Sequence, residues 1–209
     1  VNILHSCGIP KAALQLLTGG ADIGAALVQD PRIGGVLFSG STATAKLINH
    51  SLGQRSDLPV FVAESGGQNV MIADSSTDIN RLCRDVLHSA FDSAGQHSTA
   101  LRLLCVQDDI ADQVIAKLRA AADNLIIGNP ADAAVEVGPI IDQESHDNIS
   151  AYIEQAKTTA LHVHQSPLPH HLSHHAYIPP TIIELADLSH FQREVFGPVL
   201  HILSLIHIS

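Results

Sequence analysis

An α/β fold with a mainly parallel sheet is what this sequence predicts, and three observations carry that expectation. Short apolar runs alternate with longer segments whose apolar residues recur every three or four positions. Glycine-containing turns separate them, as at Ser65-Gly66-Gly67. Serine or aspartate stands where two of the periodic segments begin, Ser41 in one case and the Asp108-Asp109 pair in the other.

The elements follow in order. "GGVLFSG" (34–40) is a buried-strand pattern, and "STATAKLINHSL" (41–52) has helical spacing behind a serine. "PVFVAE" (59–64) and "NVMIAD" (69–74) predict two more strands on either side of the glycine turn. "INRLCRDVLHSAF" (79–91) reads as a helix, "ALRLLCVQ" (100–107) as a strand, and "DDIADQVIAKLRAAADNL" (108–125) as an amphipathic helix with its Asp pair at the positive end. A further helix is expected over about 144–160, then strands near 161–164, 176–184 and 199–203. The Ser65–Gly67 turn is the natural place for a domain boundary, because two glycines let the chain change direction.

Composition narrows the function classes. The chain has 209 residues, 45% of them hydrophobic, enough for a substantial core in one or two domains. A net charge of −10, with 11 Lys+Arg that form no basic run, argues against a nucleic-acid surface. With no Trp and few aromatics, the chain offers no stacking platform for bases. No apolar run approaches the ~20 residues of a membrane helix. Cys7, Cys83 and Cys105 leave an odd thiol in apolar settings, which suits a reduced, cytoplasmic protein. Val1 enters mid-pattern without an initiator Met, and the strand at 199–203 has no closing element after it. A fragment of a longer protein is expected.

One segment tempts a metal reading. "HVHQSPLPHHLSHHAY" holds His162, His164, His170, His171, His174 and His175. Its prolines make it a loop, it lacks Cys or acidic partners, and its spacing fits no structural zinc pattern. The reading is a solvated loop, with no metal.

Three motifs are each ambiguous alone. Gly40-Ser41-Thr42 lies between a strand and a helix, where free N–H groups suit a phosphate, yet Ser is also an ordinary N-cap. Glu64 ends a strand before the glycine turn, as a general base would if partly desolvated, or as a plain solvent-facing carboxylate. "REVFGPVL" sets Glu194 beside Phe196, to grip a ribose and flank a ring, or as a turn with one core Phe.

Together the motifs resemble the aldehyde dehydrogenase superfamily. They are the G-S-T helix start, the E-x-G-G turn, the G-Q-x-C loop and the E-x-F-G-P strand, with Glu64 and Ser98 at the family's Glu-to-Cys spacing. "AESGGQNVMIADSS", "VLHSAFDSAGQHSTALRLLCVQ", "VGPIID" and "EVFGPVLH" are similar to its glutamate-semialdehyde (pyrroline-5-carboxylate) dehydrogenase branch, from about Ile3 to Leu203. That resemblance implies residues 1–64 as the end of a Rossmann-type NAD-binding domain and 65–203 as most of a second α/β catalytic domain. The tail 204–209 does not continue the pattern. It further implies NAD as cofactor and a small aldehyde as substrate, and an oligomeric parent with a flavin-dependent proline dehydrogenase domain. Gly40 and Ser41 would approach the NAD pyrophosphate, Glu194 the nicotinamide ribose and Phe196 the nicotinamide ring. Glu64 would activate water for hydrolysis, and Thr99 stands where this branch has a serine for the substrate carboxylate.

The nucleophile belongs at Ser98, and here the sequence departs. Where the family has Arg-Cys, this chain has His97-Ser98. A thiol of pKa ~8.5 supplies thiolate near neutral pH, whereas an alcohol needs a positioned base. His97 is adjacent and on an extended loop would point away; Cys105 lies within a strand. An impaired NAD-dependent semialdehyde dehydrogenase is therefore the first reading, and a non-catalytic relative serving cofactor binding or domain contacts the second. A serine hydrolase is the third, without a G-x-S-x-G elbow to support it.

Overall fold

The computed structural model describes residues 1–173 and 175–206. His174 and the last three residues of the tail, on which two of the expectations above bear, lie outside the described residues. The chain divides into two units, Val1–Gly66 and Gly67–Ser209.

In the first unit, helices α1 (Asn2–Ser6) and α2 (Ala21–Gln29) precede strand β1 (Gly35–Gly40), helix α3 (Thr42–Gly53) and strand β2 (Val60–Ser65). The two strands pair in parallel, Gly35 with Val60 through Gly40 with Ser65. Ser41 is the N-cap of α3 rather than its first residue, its hydroxyl accepting from the Thr44 N–H at 3.1 Å. Helices α1 and α2 were not foreseen; α1 buries nothing and α2 only Val28. An apolar groove of ≈ 790 Å³ runs between α2, α3 and β1, past Val28, Val36, Phe38 and Ile48. Arg55 clasps the linker that follows α2, donating to the carbonyls of Asp30 at 3.1 Å and Ile33 at 2.9 Å.

The second unit is built on a five-stranded sheet in the order β3-β4-β7-β6-β5. Its strands are β3 (Asn69–Ala73), β4 (Leu101–Gln107), β5 (His162–Gln165), β6 (Thr181–Leu185) and β7 (Val199–Leu205). All neighbours pair in parallel except β5, which runs antiparallel along β6. Strand β6 starts at Thr181, later than the sequence suggests, because Pro179 and Pro180 bring no N–H to a ladder. Strand β5 falls where a strand near 161–164 is expected and takes the first part of the histidine-rich segment out of the loop, with His164 paired to Asp123 at 2.8 Å.

Three helices close the core. In α4 (Ile79–Phe91), Asp78 caps the Asn80 and Arg81 N–H groups, and Leu82, Cys83, Val86 and Ala90 form one buried face. In α5 (Asp108–Ala122) the buried face is Ala111, Val114, Leu118 and Ala122, with Asp108 and Asp109 in the first turn. In α6 (Gln143–Thr159) it is Ile149, Ile153 and Ala156, behind an Asp142 cap on the Ser145 N–H. Among the described residues, no helix is long and apolar enough to cross a membrane.

Candidate active site

The first unit holds Gly40, Ser41 and Glu64 at the carboxyl ends of β1 and β2. Parallel pairing sets Glu64 opposite Ser39 and Ser65 opposite Gly40. The start of α3 thus lies at the same sheet edge as the Glu64 carboxylate, where α/β sheets place ligands. Gly40 has a local reason as well: a Cβ there would meet the Phe38 ring at 2.6 Å. All three residues are exposed.

The second unit holds Ser98 and Thr99 on the loop between α4 and β4. After α4 the chain turns through Ser93 (φ 51°), Ala94 (φ 56°) and Gly95 (φ 66°), three consecutive left-handed residues. Gly95 is obligatory, since a Cβ would sit 2.2 Å from the Gly197 carbonyl oxygen and 2.9 Å from that of Ala90. That contact presses the loop onto the Glu194–Pro198 segment.

Two amides pin the loop elsewhere. The Gln96 side chain donates to the Pro139 carbonyl at 3.0 Å and accepts from the Ile141 N–H at 2.9 Å, tying the loop to "VGPIID". Asn69, at the head of β3, donates to the carbonyls of Ser98 at 2.8 Å and Ala100 at 2.9 Å. Ser98 and Thr99 remain exposed. The His97 imidazole turns away from Ser98 to the Ser93 hydroxyl, 2.8 Å from its Nε2. Among the described residues, no side chain hydrogen-bonds the Ser98 hydroxyl, so no base stands ready to activate it.

Beneath the loop lies Arg102, 1% exposed. Its guanidinium donates to the Gly197 carbonyl at 3.0 Å and the His97 carbonyl at 3.2 Å, and faces a Glu194 oxygen at 3.6 Å. It also lies 5.5 Å from the centre of the Phe196 ring, which is 47% exposed. Burial lowers the guanidinium from its ordinary pKa, and Glu194 opposes the shift. Behind it, His201 donates from Nδ1 to the Arg102 carbonyl at 3.1 Å and accepts from the Tyr152 hydroxyl at 2.7 Å on Nε2. Burial pushes the His201 imidazole down to about 4, which keeps it neutral in this arrangement.

The structure therefore gathers the His97 carbonyl beside Ser98, Glu194 and Phe196 around one buried arginine, with Thr99 next on the same loop and Gly40, Ser41 and Glu64 grouped in the other unit. Sequence reasoning missed Arg102 and Asn69. A lone arginine inside the apolar run "ALRLLCVQ" was the available signal, because a buried charge in a strand needs partners that only the fold can supply. Asn69 gave none, being an unremarkable polar residue at a strand start. Cys83 and Cys105 are buried, and burial raises both thiols, so neither offers a ready thiolate. No three His, Cys, Asp or Glu side chains converge on a metal position among the described residues.

This loop, strand and helix-start arrangement is that of an aldehyde dehydrogenase, and the chain belongs to the aldehyde dehydrogenase family, whose model matches residues 1–207. Among curated proteins it is 46% identical to the bifunctional protein PutA of Rhizobium meliloti, over 97% of this chain and 17% of that protein. The PutA of Escherichia coli K12 is 42% identical, with 97% and 16% covered. A crystal structure of bifunctional proline utilization A superposes with a TM-score of 0.92 at 44% identity, covering 98% of this chain and 20% of the other. A Staphylococcus aureus betaine aldehyde dehydrogenase in complex with NAD+ reaches 0.90 at 26% identity, with 98% and 42% covered. The chain thus spans a minor part of the length of each of these relatives.

Proposed function

We propose that this chain is the semialdehyde-oxidising part of a larger proline-catabolising protein, converting L-glutamate γ-semialdehyde to glutamate with NAD, and that it is impaired as it stands. The observation that carries this reading is the loop at Gly95–Thr99, clamped by Gln96, Asn69 and Arg102 against Glu194 and Phe196. Each unit, taken by itself, offers groups of the kinds a dinucleotide binds. The α3 start offers N–H groups to a pyrophosphate, Glu194 a carboxylate to a ribose, and the half-exposed Phe196 ring a flat apolar surface. NAD, when bound, supplies a hydride acceptor. A cytoplasmic location and an oligomeric parent with a flavin-dependent proline dehydrogenase domain belong to the same reading.

In that chemistry a thiolate at position 98 would bond to the aldehyde carbon, and the adduct would become a thioester by giving its hydride to the bound acceptor. Glu64 then takes a proton from water, whose oxygen displaces the sulfur to release the acid. Ser98 fails at the first step. Its alcohol ionises far less readily than a thiol of pKa ~8.5, and among the described residues no side chain hydrogen-bonds it to take its proton, the neighbouring His97 imidazole being engaged with Ser93. Ser98→Cys in the complete parent protein tests this: NADH formation from the semialdehyde should rise by orders of magnitude, with the thiol adduct captured by mass spectrometry. Equal turnover with Ser98 would defeat the covalent-thiol account. The unpartnered Ser98 hydroxyl favours a second reading, a non-catalytic member of the family retained for cofactor binding or domain contacts. Two inactive proteins would select it.

A further inference from the structure

We propose that Arg102 is a positioning residue that locks the loop carrying residue 98 to the Glu194–Phe196 segment, so that one guanidinium sets the spacing between nucleophile slot and cofactor-facing groups. Its catalytic consequence rests on the reading above; its positioning role does not.

The argument starts from cost. Arg102 is almost wholly buried on a strand whose neighbours are apolar, and its Nε has no hydrogen-bond partner among the described residues. An apolar side chain of similar volume would fill the space without that penalty, so bulk alone does not explain an arginine. What the guanidinium adds is a planar fork that reaches several acceptors at once. The acceptors come from two places distant in sequence: the His97 carbonyl next to Ser98, and the Gly197 carbonyl with the Glu194 carboxylate. The Phe196 ring lies over the same group. Gly95 against Gly197 brings the two segments to van der Waals range but fixes no direction between them. Arg102 fixes the direction. The strand that bears it is held in turn by the His201 bond to its carbonyl, with Tyr152 completing the chain.

Lysine carries the same charge on one nitrogen and cannot span these acceptors, and methionine has neither charge nor donor. The test is hydrogen exchange on this chain with Arg102→Lys and Arg102→Met. The bonded amides of Gln96, Ala100 and Gly197 report the two segments, and those of Leu161 and Ser166 report the far edge of the sheet. In each variant the first three should exchange about tenfold faster or more, together, while the last two stay within about twofold. Unchanged protection at the loop overturns the proposal. Uniform acceleration overturns it too, because Arg102 would then be holding up the whole fold. If Arg102→Met does not fold, Arg102→Lys carries the comparison, and full protection in that variant counts against the fork.

A second arm uses the complete parent bearing Ser98→Cys. There Arg102→Lys should lower kcat about 100-fold and leave KM for the aldehyde within about threefold, as expected when alignment rather than binding is lost. Unchanged kcat would remove the catalytic part of the proposal. If that parent has no turnover even with Arg102 intact, the proposed function fails, and the exchange comparison still decides the role of Arg102.

Discussion

Two sheets in this chain are written in the same strand-and-helix pattern and have very different interiors. In the second unit, β4 is buried from Leu101 to Val106, with α4, α5 and α6 contributing buried faces. In the first unit, Leu37 is 83% exposed and Val60 65%, and the buried apolar residues are Val28, Ala45 and Leu52. Apolar sequence earns stability only when layers cover it, and a parallel strand is ordinarily covered on both faces. The pattern of a strand and the burial of a strand are thus separate properties, and only the first is local.

The largest consequence is in local stability. Amides of β1 and β2 should exchange at least ~1,000-fold faster than those of β4 and β7, because few buried contacts oppose opening in the first unit. Exchange mass spectrometry on the intact chain measures it, and equal protection would erase the contrast. Next, Leu104→Ala should cost about 3 kcal/mol in urea unfolding, since Leu104 is fully buried, and Leu37→Ala less than about 0.5 kcal/mol.

Acid should act on the second unit through His201. Its imidazole titrates at about 4 in the fold against about 6.5 in the unfolded chain, so the unfolded form binds the proton first. Stability from this residue is complete above pH ~6.5 and drains as pH falls toward 4, by about 3 kcal/mol in all. His201→Gln should flatten that part of the stability-versus-pH curve. A smaller effect sharpens the same contrast: Asp78→Ala should cost about 1 kcal/mol by uncapping α4. Thiol titration completes the set. Native protein should expose Cys7 alone to a bulky disulfide reagent, with Cys83 and Cys105 reacting after denaturation.

Much of this was legible in the sequence. Every strand predicted from an apolar run exists, and the helices with a clear apolar period, such as 79–91, end within about three residues of their expected limits. Helix α2 escaped because Gly24 interrupts a short segment, which weakens its helix signal. The resemblance carried Ser98, Glu194 and Phe196, whose motifs are contiguous in sequence. Arg102 was illegible as a site residue because its partners, His97 and Gly197, flank it at unequal distances along the chain, and no local pattern announces such a meeting. The same holds for His201, whose role depends on Tyr152 across the core.

The bond from Arg102 to Gly197 joins residues 95 apart in sequence. During synthesis at about 5–20 residues per second, the loop near residue 98 therefore leaves the ribosome many seconds before its last support exists. Strand β7, which pairs with β4, arrives in the same late segment. Until then β4 has an open edge, and the left-handed turn at Ser93–Gly95 has nothing pressed against it. A ribosome stalled before Gly197 would hold the whole loop sequence and no site. The geometry at residue 98 waits on support from far downstream, and a truncation short of β7 forfeits it entirely.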